Sequence, residues 1–358
     1  MPRFSSFDDF AEQYGGQCSI DEATQGTSGL GWLEEIWNGL ISINQSYFGD
    51  KNSRGDSYRA QAGIFNSFEI NGAADQGKYE LYFGVTIGTI LRLAYAQKIL
   101  QVDRADKLGG PCMKHLLSGH ADETPPDELP DSILETVTSS SLAKVKDQAF
   151  FSIGFVFQHE AFHTLVGHAG YVRDQLNLGM DEVAFHRDAT KRDELIQAME
   201  LEADGAAFTN FWLTLNQSPR FGYCEDPDPD PTSRIAEATM GCMIPILAIE
   251  ARRGRLSKRT ERRHPFPSRR VSLILRLLQT YERKGKLPSG TAAKLRELAA
   301  IARPKLVGIG VDGLLDLLAG DNSIDTDDKA KLNHLIKTYN DHLSVFEELS
   351  FAPRIRIT

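Results

Sequence analysis

Three histidines and a glutamate lie close together in residues 158–170, QHEAFHTLVGHAG. His159 and His163 are four positions apart, so on a helix their side chains lie about 40° apart and one turn from each other. Neutral imidazoles at this spacing can bind one zinc ion at about 2.0–2.1 Å. Glu160 lies about 100° from His159, where it can reach a zinc-bound water without binding the ion. The HExxH pattern therefore predicts a zinc site with Glu160 as general base.

His168 is a less suitable ligand than the other two histidines. It follows His163 by five residues and lies about 140° further round an unbroken helix, so it should not reach the same ion. It would join the site only if the helix ended early. In an unbroken helix it would instead lie near the C-terminus, where positive charge is favourable.

A catalytic zinc site needs a third protein ligand and an open position for water. The HExxHxxGxxH arrangement is excluded, because Val166 and Ala169 occupy its glycine and histidine positions. The downstream segment ELEAD, residues 200–204, offers another ligand. Glu200 and Asp204 share one helix face, so Glu200 can bind zinc while Asp204 hydrogen-bonds a ligating histidine.

The remaining carboxylate of ELEAD, Glu202, points to roughly the opposite side of the helix, and we expect it to be solvated or to serve another face. By itself, ELEAD would indicate only a charged helix surface. Its combination with HEAFH on a buried upstream helix favours the metal-binding interpretation.

A further histidine, His264, precedes Pro265 in the segment RRHPFPSRRVSLIL. A loop histidine here could approach the open zinc position or stabilise an oxyanion during hydrolysis. Arg269 and Arg270 could anchor the segment to carboxylates around the site. The alternative is a surface loop, because residues 252–270 contain nine Lys or Arg residues and one acidic residue.

The ordered set HExxH, ExxxD and HP resembles the gluzincin metallopeptidases of the HtpX and CAAX-prenyl-protease type. The buried apolar helix leading into HExxH also resembles the phage-exclusion proteases related to Lit. The resemblance covers residues 150–275 and implies that residues 79–91 form a peptide-binding sheet edge. Unlike the membrane members, this sequence has no transmembrane segment. The resemblance implies the following roles: zinc ligands His159, His163 and Glu200, catalytic base Glu160, Asp204 bonded to a ligand, and His264 as the HP histidine.

The surrounding pattern predicts an α+β fold, mostly α, of zincin-like type with a small mixed or antiparallel sheet. Aromatic and β-branched residues predict strands at 63–71 and 78–91, with a turn at 71–77 between them. Proline-rich acidic segments at 122–131 and 225–231 predict loops. Apolar periodicity and capping residues predict helices at 29–48, 139–168, 191–216, 234–254, 268–284, 290–302 and 327–349.

The whole-chain properties limit the classes of function. The chain has 358 residues and a net charge of −9, which argues against a general nucleic-acid binder. No run of about 18 apolar residues and no signal peptide is visible, so we expect a cytoplasmic protein without membrane insertion. Its four cysteines lack CxxC spacing, which argues against a cysteine zinc site or a disulfide framework.

Two hypotheses follow from these patterns. The first is a zinc metallopeptidase, with one Zn²⁺ per chain, that hydrolyses a protein or peptide substrate. The second is a non-catalytic protein in which the metal or helix pair is structural and the basic stretch and C-terminal helices bind a partner. We expect a helical extension at 1–60, a catalytic domain at 61–285 and a C-terminal helical region at 286–358.

Overall fold

The structure of the protein is a computed structural model. It describes residues 4–24, 30–47, 58–77, 79–101, 113, 116, 139–176, 180–181, 191–253, 265, 267–306, 311–320 and 326–347.

Helices make up most of the described part of the chain. They are α1 (Phe7–Glu12), α2 (Ile20–Thr24), α3 (Trp32–Tyr47), α4 (Ile87–Gln101), α5 (Ser139–Leu165), α6 (His168–Leu176), α7 (Lys191–Gln217), α8 (Pro231–Arg253), α9 (Pro267–Arg283), α10 (Thr291–Leu306), α11 (Asp312–Ala319), α12 (Thr326–Asp341) and α13 (Leu343–Glu347).

Most of the predicted helices are confirmed, with ends shifted by a few residues. Two predictions of helix extent are wrong. The helix expected to continue through His168 ends at Leu165, and the helix expected at 327–349 is divided at His342. The loop predicted at 122–131 lies outside the described residues.

Four strands form a mixed sheet in the order β1-β3-β2-β4: β1 (Arg59–Phe65), β2 (Gly72–Gln76), β3 (Glu80–Thr86) and β4 (Met180–Asp181). β3 lies between β1, which is parallel to it, and β2, which is antiparallel; Phe83 is opposite Ala62 on one side and Ala74 on the other. β2 also pairs antiparallel with β4. The predicted α+β class with more helix than sheet is confirmed, and the sheet is mixed.

The sheet differs from the sequence prediction in three ways. The segment predicted as a turn contains β2, because its small buried residues allow α5 to pack closely on the strand. The second predicted strand stops at Thr86, whose hydroxyl accepts a hydrogen bond from the Thr89 backbone N–H (3.2 Å) and so caps α4. Because β3 is paired on both sides, the prediction that residues 79–91 form a peptide-binding edge is wrong.

Helix α5 lies at the centre of the molecule, packed against α3, α4, α7, α8 and the sheet. The Phe157 ring contacts Phe83 of β3 and Trp37 of α3, with centroid distances of 5.1 and 5.2 Å. On another side of α5, Phe155 packs against Phe208 of α7 at 4.9 Å. Burial of each such ring contributes about 1.5–3 kcal/mol. These contacts hold the HEAFH end of α5 between the sheet and α7. The predicted burial of the apolar stretch from Ala149 to Phe157 is confirmed.

One hydrophobic core includes residues from all three predicted regions, such as Leu33, Phe157 and Leu335. The predicted division of the chain near residues 60 and 285 stays a prediction. Over the described residues, no helix has both the length and the apolar character needed to cross a bilayer.

Candidate metal centre

His159 and His163 on α5 meet Glu200 on α7. The Nε2 atoms of the two histidines are 2.9 Å apart. The Glu200 carboxylate approaches both, with Oε2 at 3.2 Å from His159 Nε2 and Oε1 at 3.3 Å from His163 Nε2. These three buried side chains form the group that could hold a metal ion, with ligand atoms within 4.8 Å of one another.

The spacing of these ligand atoms suits a single small cation. A tetrahedral ion with bonds of about 2.0–2.1 Å keeps its ligand atoms about 3.3 Å apart. The observed separations of 2.9, 3.2 and 3.3 Å are close to that value. Three protein ligands would leave one tetrahedral position for water or substrate.

His159 is oriented by Asp204, one turn after Glu200 on α7. Its Nδ1 is 3.0 Å from Asp204 Oδ1, so Nδ1–H donates to the carboxylate and the lone pair of Nε2 faces the ligand group. Arg270 of α9 donates to both oxygens of Asp204, through Nε and Nη2, at 2.7 Å each. The expected pairing of Asp204 with the candidate ligand His159 is therefore present, and so is an arginine anchor from the segment after Pro265.

His163 is oriented by a different group of residues. Its Nδ1 is 3.1 Å from His168 Nδ1. His168 Nε2 in turn lies 2.7 Å from Glu202 Oε2, which also accepts a hydrogen bond from the Tyr339 hydroxyl of α12. Of the two expectations for Glu202, solvation is wrong, because the residue is 1% exposed. The other, that it serves a second helix face, agrees with its contacts to His168 and Tyr339.

The position of His168 follows from the break between α5 and α6. Gly167 has a left-handed φ of 86°, which ends α5 and lets His168 begin the next helix. The break brings the ring of His168 beside His163 but does not add it to the ligand group. His168 is therefore neither at the C-terminus of α5 nor a member of the metal group.

Glu160 packs against the first residue of β2. A Cβ atom on Gly72 would lie 2.6 Å from both Cγ and Oε1 of Glu160. Because Gly72 has no side chain, the Glu160 side chain can pack directly on the backbone of β2. Glu160 follows the candidate ligand His159 in the sequence.

The charge of the cluster also favours a bound cation. The carboxyl groups of Glu160, Glu200, Glu202 and Asp204 belong to residues that are at most 2% exposed. Arg270 compensates Asp204. Buried carboxylates are costly unless they are paired or coordinate a metal. A divalent cation among His159, His163 and Glu200 would supply further positive charge where it is needed.

Two other predicted features can be placed only in part. His264 lies outside the described residues, so its role at the site stays a prediction. Pro265 is buried, and Arg269 is half-buried beside the fully buried Arg270.

The described cysteines, Cys18, Cys224 and Cys242, are not part of the candidate metal group. Burial raises the pKa of Cys242 well above its ordinary value, and burial together with nearby Glu22 raises the pKa of Cys18 to about 11. Thiols kept protonated in this way are poor metal ligands at neutral pH.

Sequence reasoning missed Tyr339, Gly72 and the contact between Glu202 and His168. The glycine at 167 was a usable signal for the end of α5, because glycine is the residue that most often follows a helix in the left-handed conformation. No local signal pointed to Tyr339, which lies 137 positions from Glu202.

Comparison of the chain with protein-family models, curated proteins and solved structures gives no match.

Proposed function

We propose that the protein is a zinc metallopeptidase that hydrolyses peptide bonds in a protein or peptide substrate. The observation that supports this most directly is the convergence of His159, His163 and Glu200, with Glu160 next in sequence to His159. Two histidines and a glutamate are a ligand set of catalytic zinc sites, and three protein ligands leave a coordination position open. Peptide hydrolysis at a zinc site of this kind also needs a general base. The carboxyl group of Glu160, next in sequence to the first ligand, can take that role.

Zinc held by these residues would lower the pKa of a bound water and polarise the substrate carbonyl. Glu160 accepts the proton of the attacking water and delivers it to the leaving amine, as a general base and then a general acid. Gly72 keeps the side chain of Glu160 in position by leaving room for it. Asp204 holds His159 in the tautomer that presents Nε2, and Arg270 fixes Asp204.

The test combines metal content with hydrolysis. We expect about one zinc per chain by elemental mass spectrometry, and cleavage of a fluorescence-quenched peptide library by the zinc-loaded chain. Glu160→Gln should keep the zinc and lower the cleavage rate by about 10²–10⁴-fold, because it removes proton transfer and leaves the ligands unchanged.

Glu297→Gln is the matched control, since the Glu297 side chain is 62% exposed and pairs with Lys294. It should cleave at the wild-type rate. A zinc-loaded wild-type chain that cleaves no peptide, or a Glu160→Gln variant that cleaves as fast as wild type, would contradict the proposal.

A second candidate is a non-catalytic metal protein. Its support is the burial of the candidate ligands, which are each 1% exposed, since structural zinc sites are closed. Structural sites commonly use four protein ligands, however, and the described residues provide three. The Glu160→Gln variant separates the two candidates, because a structural site does not need that carboxylate.

A further inference from the structure

The candidate ligand His163 is held by a chain of buried polar groups that ends on a distant helix. The chain runs from His163 Nδ1 to His168 Nδ1 at 3.1 Å, and from His168 Nε2 to Glu202 Oε2 at 2.7 Å. The Tyr339 hydroxyl of α12 donates to the same Glu202 oxygen. We call His168, Glu202 and Tyr339 the relay.

A metal ion bound by His163 would determine the hydrogen positions along the relay. His163 must present the lone pair of Nε2 to the ion, so its proton is on Nδ1 and is donated to His168. His168 would then accept at Nδ1 and carry its own proton on Nε2, which lies 2.7 Å from Glu202 Oε2. This short contact lacks hydrogen-bond geometry, so it links the imidazole to the carboxylate by charge. This arrangement would turn the Nε2–H of His168 towards the negative charge of Glu202 and make His163 a better electron donor.

The surroundings of the relay keep water away from it. His168 and Tyr339 are fully buried, and Glu202 is 1% exposed. The Tyr339 ring stacks on Phe346 of α13 with centroids 5.6 Å apart, and the His168 ring meets both edge-on, at 6.0 and 5.3 Å. In such surroundings a hydrogen bond to a carboxylate is stronger than it is in water.

The two candidate histidine ligands differ in the charge behind them. Asp204, behind His159, is neutralised by the two hydrogen bonds from Arg270. Glu202, behind His163, accepts a hydrogen bond from Tyr339 and contacts His168 Nε2, and no lysine or arginine pairs with it among the described residues. Its negative charge therefore acts on His163 through His168 with less compensation.

We propose that His168, Glu202 and Tyr339 are positioning residues for the metal ligand His163, and that α12 thereby contributes to the metal affinity of the site. The inference rests on the metal site of the proposed function and does not depend on peptide hydrolysis. His168 is not a member of the candidate ligand group; it would act by orienting His163 and by passing on the charge of Glu202.

The experiment measures the zinc affinity of the full chain by competition with a chromophoric chelator. Glu202→Gln keeps the shape and an oxygen acceptor for His168 but removes the charge, and we expect zinc binding to weaken about 10–100-fold, as for other partners of ligating histidines. Tyr339→Phe leaves the contact between His168 and Glu202 and the charge of Glu202 in place, so we expect a smaller loss. It also serves as the second variant if Glu202→Gln folds poorly.

Asp147→Asn is the matched control, because Asp147 is also buried and also bonded to partners from another helix, with Arg234 Nη2 at 3.0 Å, but is not linked to a candidate ligand. The visible spectrum of the cobalt-substituted chain gives a readout of ligand geometry that general destabilisation does not shift. We expect the spectrum to change in Glu202→Gln and to be unchanged in Asp147→Asn.

Wild-type zinc affinity and an unchanged cobalt spectrum in both relay variants would overturn the inference and leave the peptidase proposal standing. A loss of zinc affinity in Asp147→Asn equal to that in Glu202→Gln would also overturn it. The loss would then be a result of lower protein stability and not of the relay. The wild-type chain could bind zinc tightly and the variants could show the expected relay effects while no peptide is cleaved. That result would contradict the peptidase proposal alone. A wild-type chain that binds no zinc would contradict both.

Discussion

Glu160 and Gly72 show how one backbone position can control a candidate catalytic group. The carboxyl group of Glu160 occupies the space that any other residue at position 72 would fill with its Cβ atom. The contact involves Cγ of Glu160 as well as its oxygen, so rotation of the carboxyl group alone cannot relieve it. The requirement for glycine here comes from this close approach.

Replacing Gly72 by alanine should displace Glu160 while leaving His159 and His163 in place. We expect Gly72→Ala to bind zinc with near-wild-type affinity and to lose peptidase activity by about 10²-fold, because a shift of about 1 Å in a reacting group has effects of this size. Parallel measurements of chelator competition and peptide cleavage check the result. Gly31→Ala is the control, since a Cβ there meets nothing within 4 Å. Full activity of Gly72→Ala would show that the contact does not hold Glu160.

At the scale of secondary-structure elements, the break between α5 and α6 determines what lies behind His163. Had α5 continued, His168 would lie about 140° from His163 and could not bond to its Nδ1. Gly167 instead adopts a left-handed φ of 86°, and its backbone N–H bonds to the Thr164 carbonyl oxygen at 3.4 Å. The turn places His168 at the first position of α6, within hydrogen-bond distance of His163.

Replacing Gly167 by alanine should therefore reduce both stability and metal affinity. A non-glycine residue in the left-handed conformation costs about 1–2 kcal/mol, which would be seen as a lower midpoint in urea denaturation. We expect zinc affinity to fall as well, because His168 would lose its position. Gly285→Ala provides the comparison, with a left-handed φ of 64° in an open turn away from the candidate ligands. If Gly167→Ala lowers the urea midpoint but not the zinc affinity, the turn at Gly167 does not contribute to metal binding.

At the scale of the whole molecule, the site joins segments that are far apart in the chain. The candidate ligands come from α5 and α7, and the groups that orient them come from α6, α7, α9 and α12. The apolar residues of these helices also belong to one core. A metal ion at this position would stabilise the packing of α5 against α7 and with it the folded state.

Zinc should consequently raise the thermal unfolding temperature of the chain. At a free zinc concentration 100 times the dissociation constant, the expected stabilisation is about 2.7 kcal/mol. Differential scanning calorimetry of the metal-free chain, with and without added zinc, measures it. Glu200→Gln is the control, because it removes one ligand and should abolish most of the shift. An equal shift in wild type and Glu200→Gln would mean that zinc stabilises the protein from another position.

The local part of this organisation could be predicted from residue order. The spacing of His159 and His163, and of Glu200 and Asp204, translates directly into shared helix faces, because one helical turn is a property of the backbone alone. The buried character of α5 followed in the same way from its apolar residues on nearly all sides. The strands were predicted less well, because the small residues of β2 have low intrinsic strand preference and are stabilised by what packs on them.

The sequence by itself determined which side chains could bind a metal and which of them share a helix face. Only the tertiary structure decided that Glu202 is buried against His168 and Tyr339, that Gly72 lies against Glu160, and that Arg270 reaches Asp204. The physical reason is how far apart in the sequence the interacting residues are. Helical spacing depends on neighbours within four residues, whereas the surroundings of each carboxylate depend on which distant helices and strands pack around it.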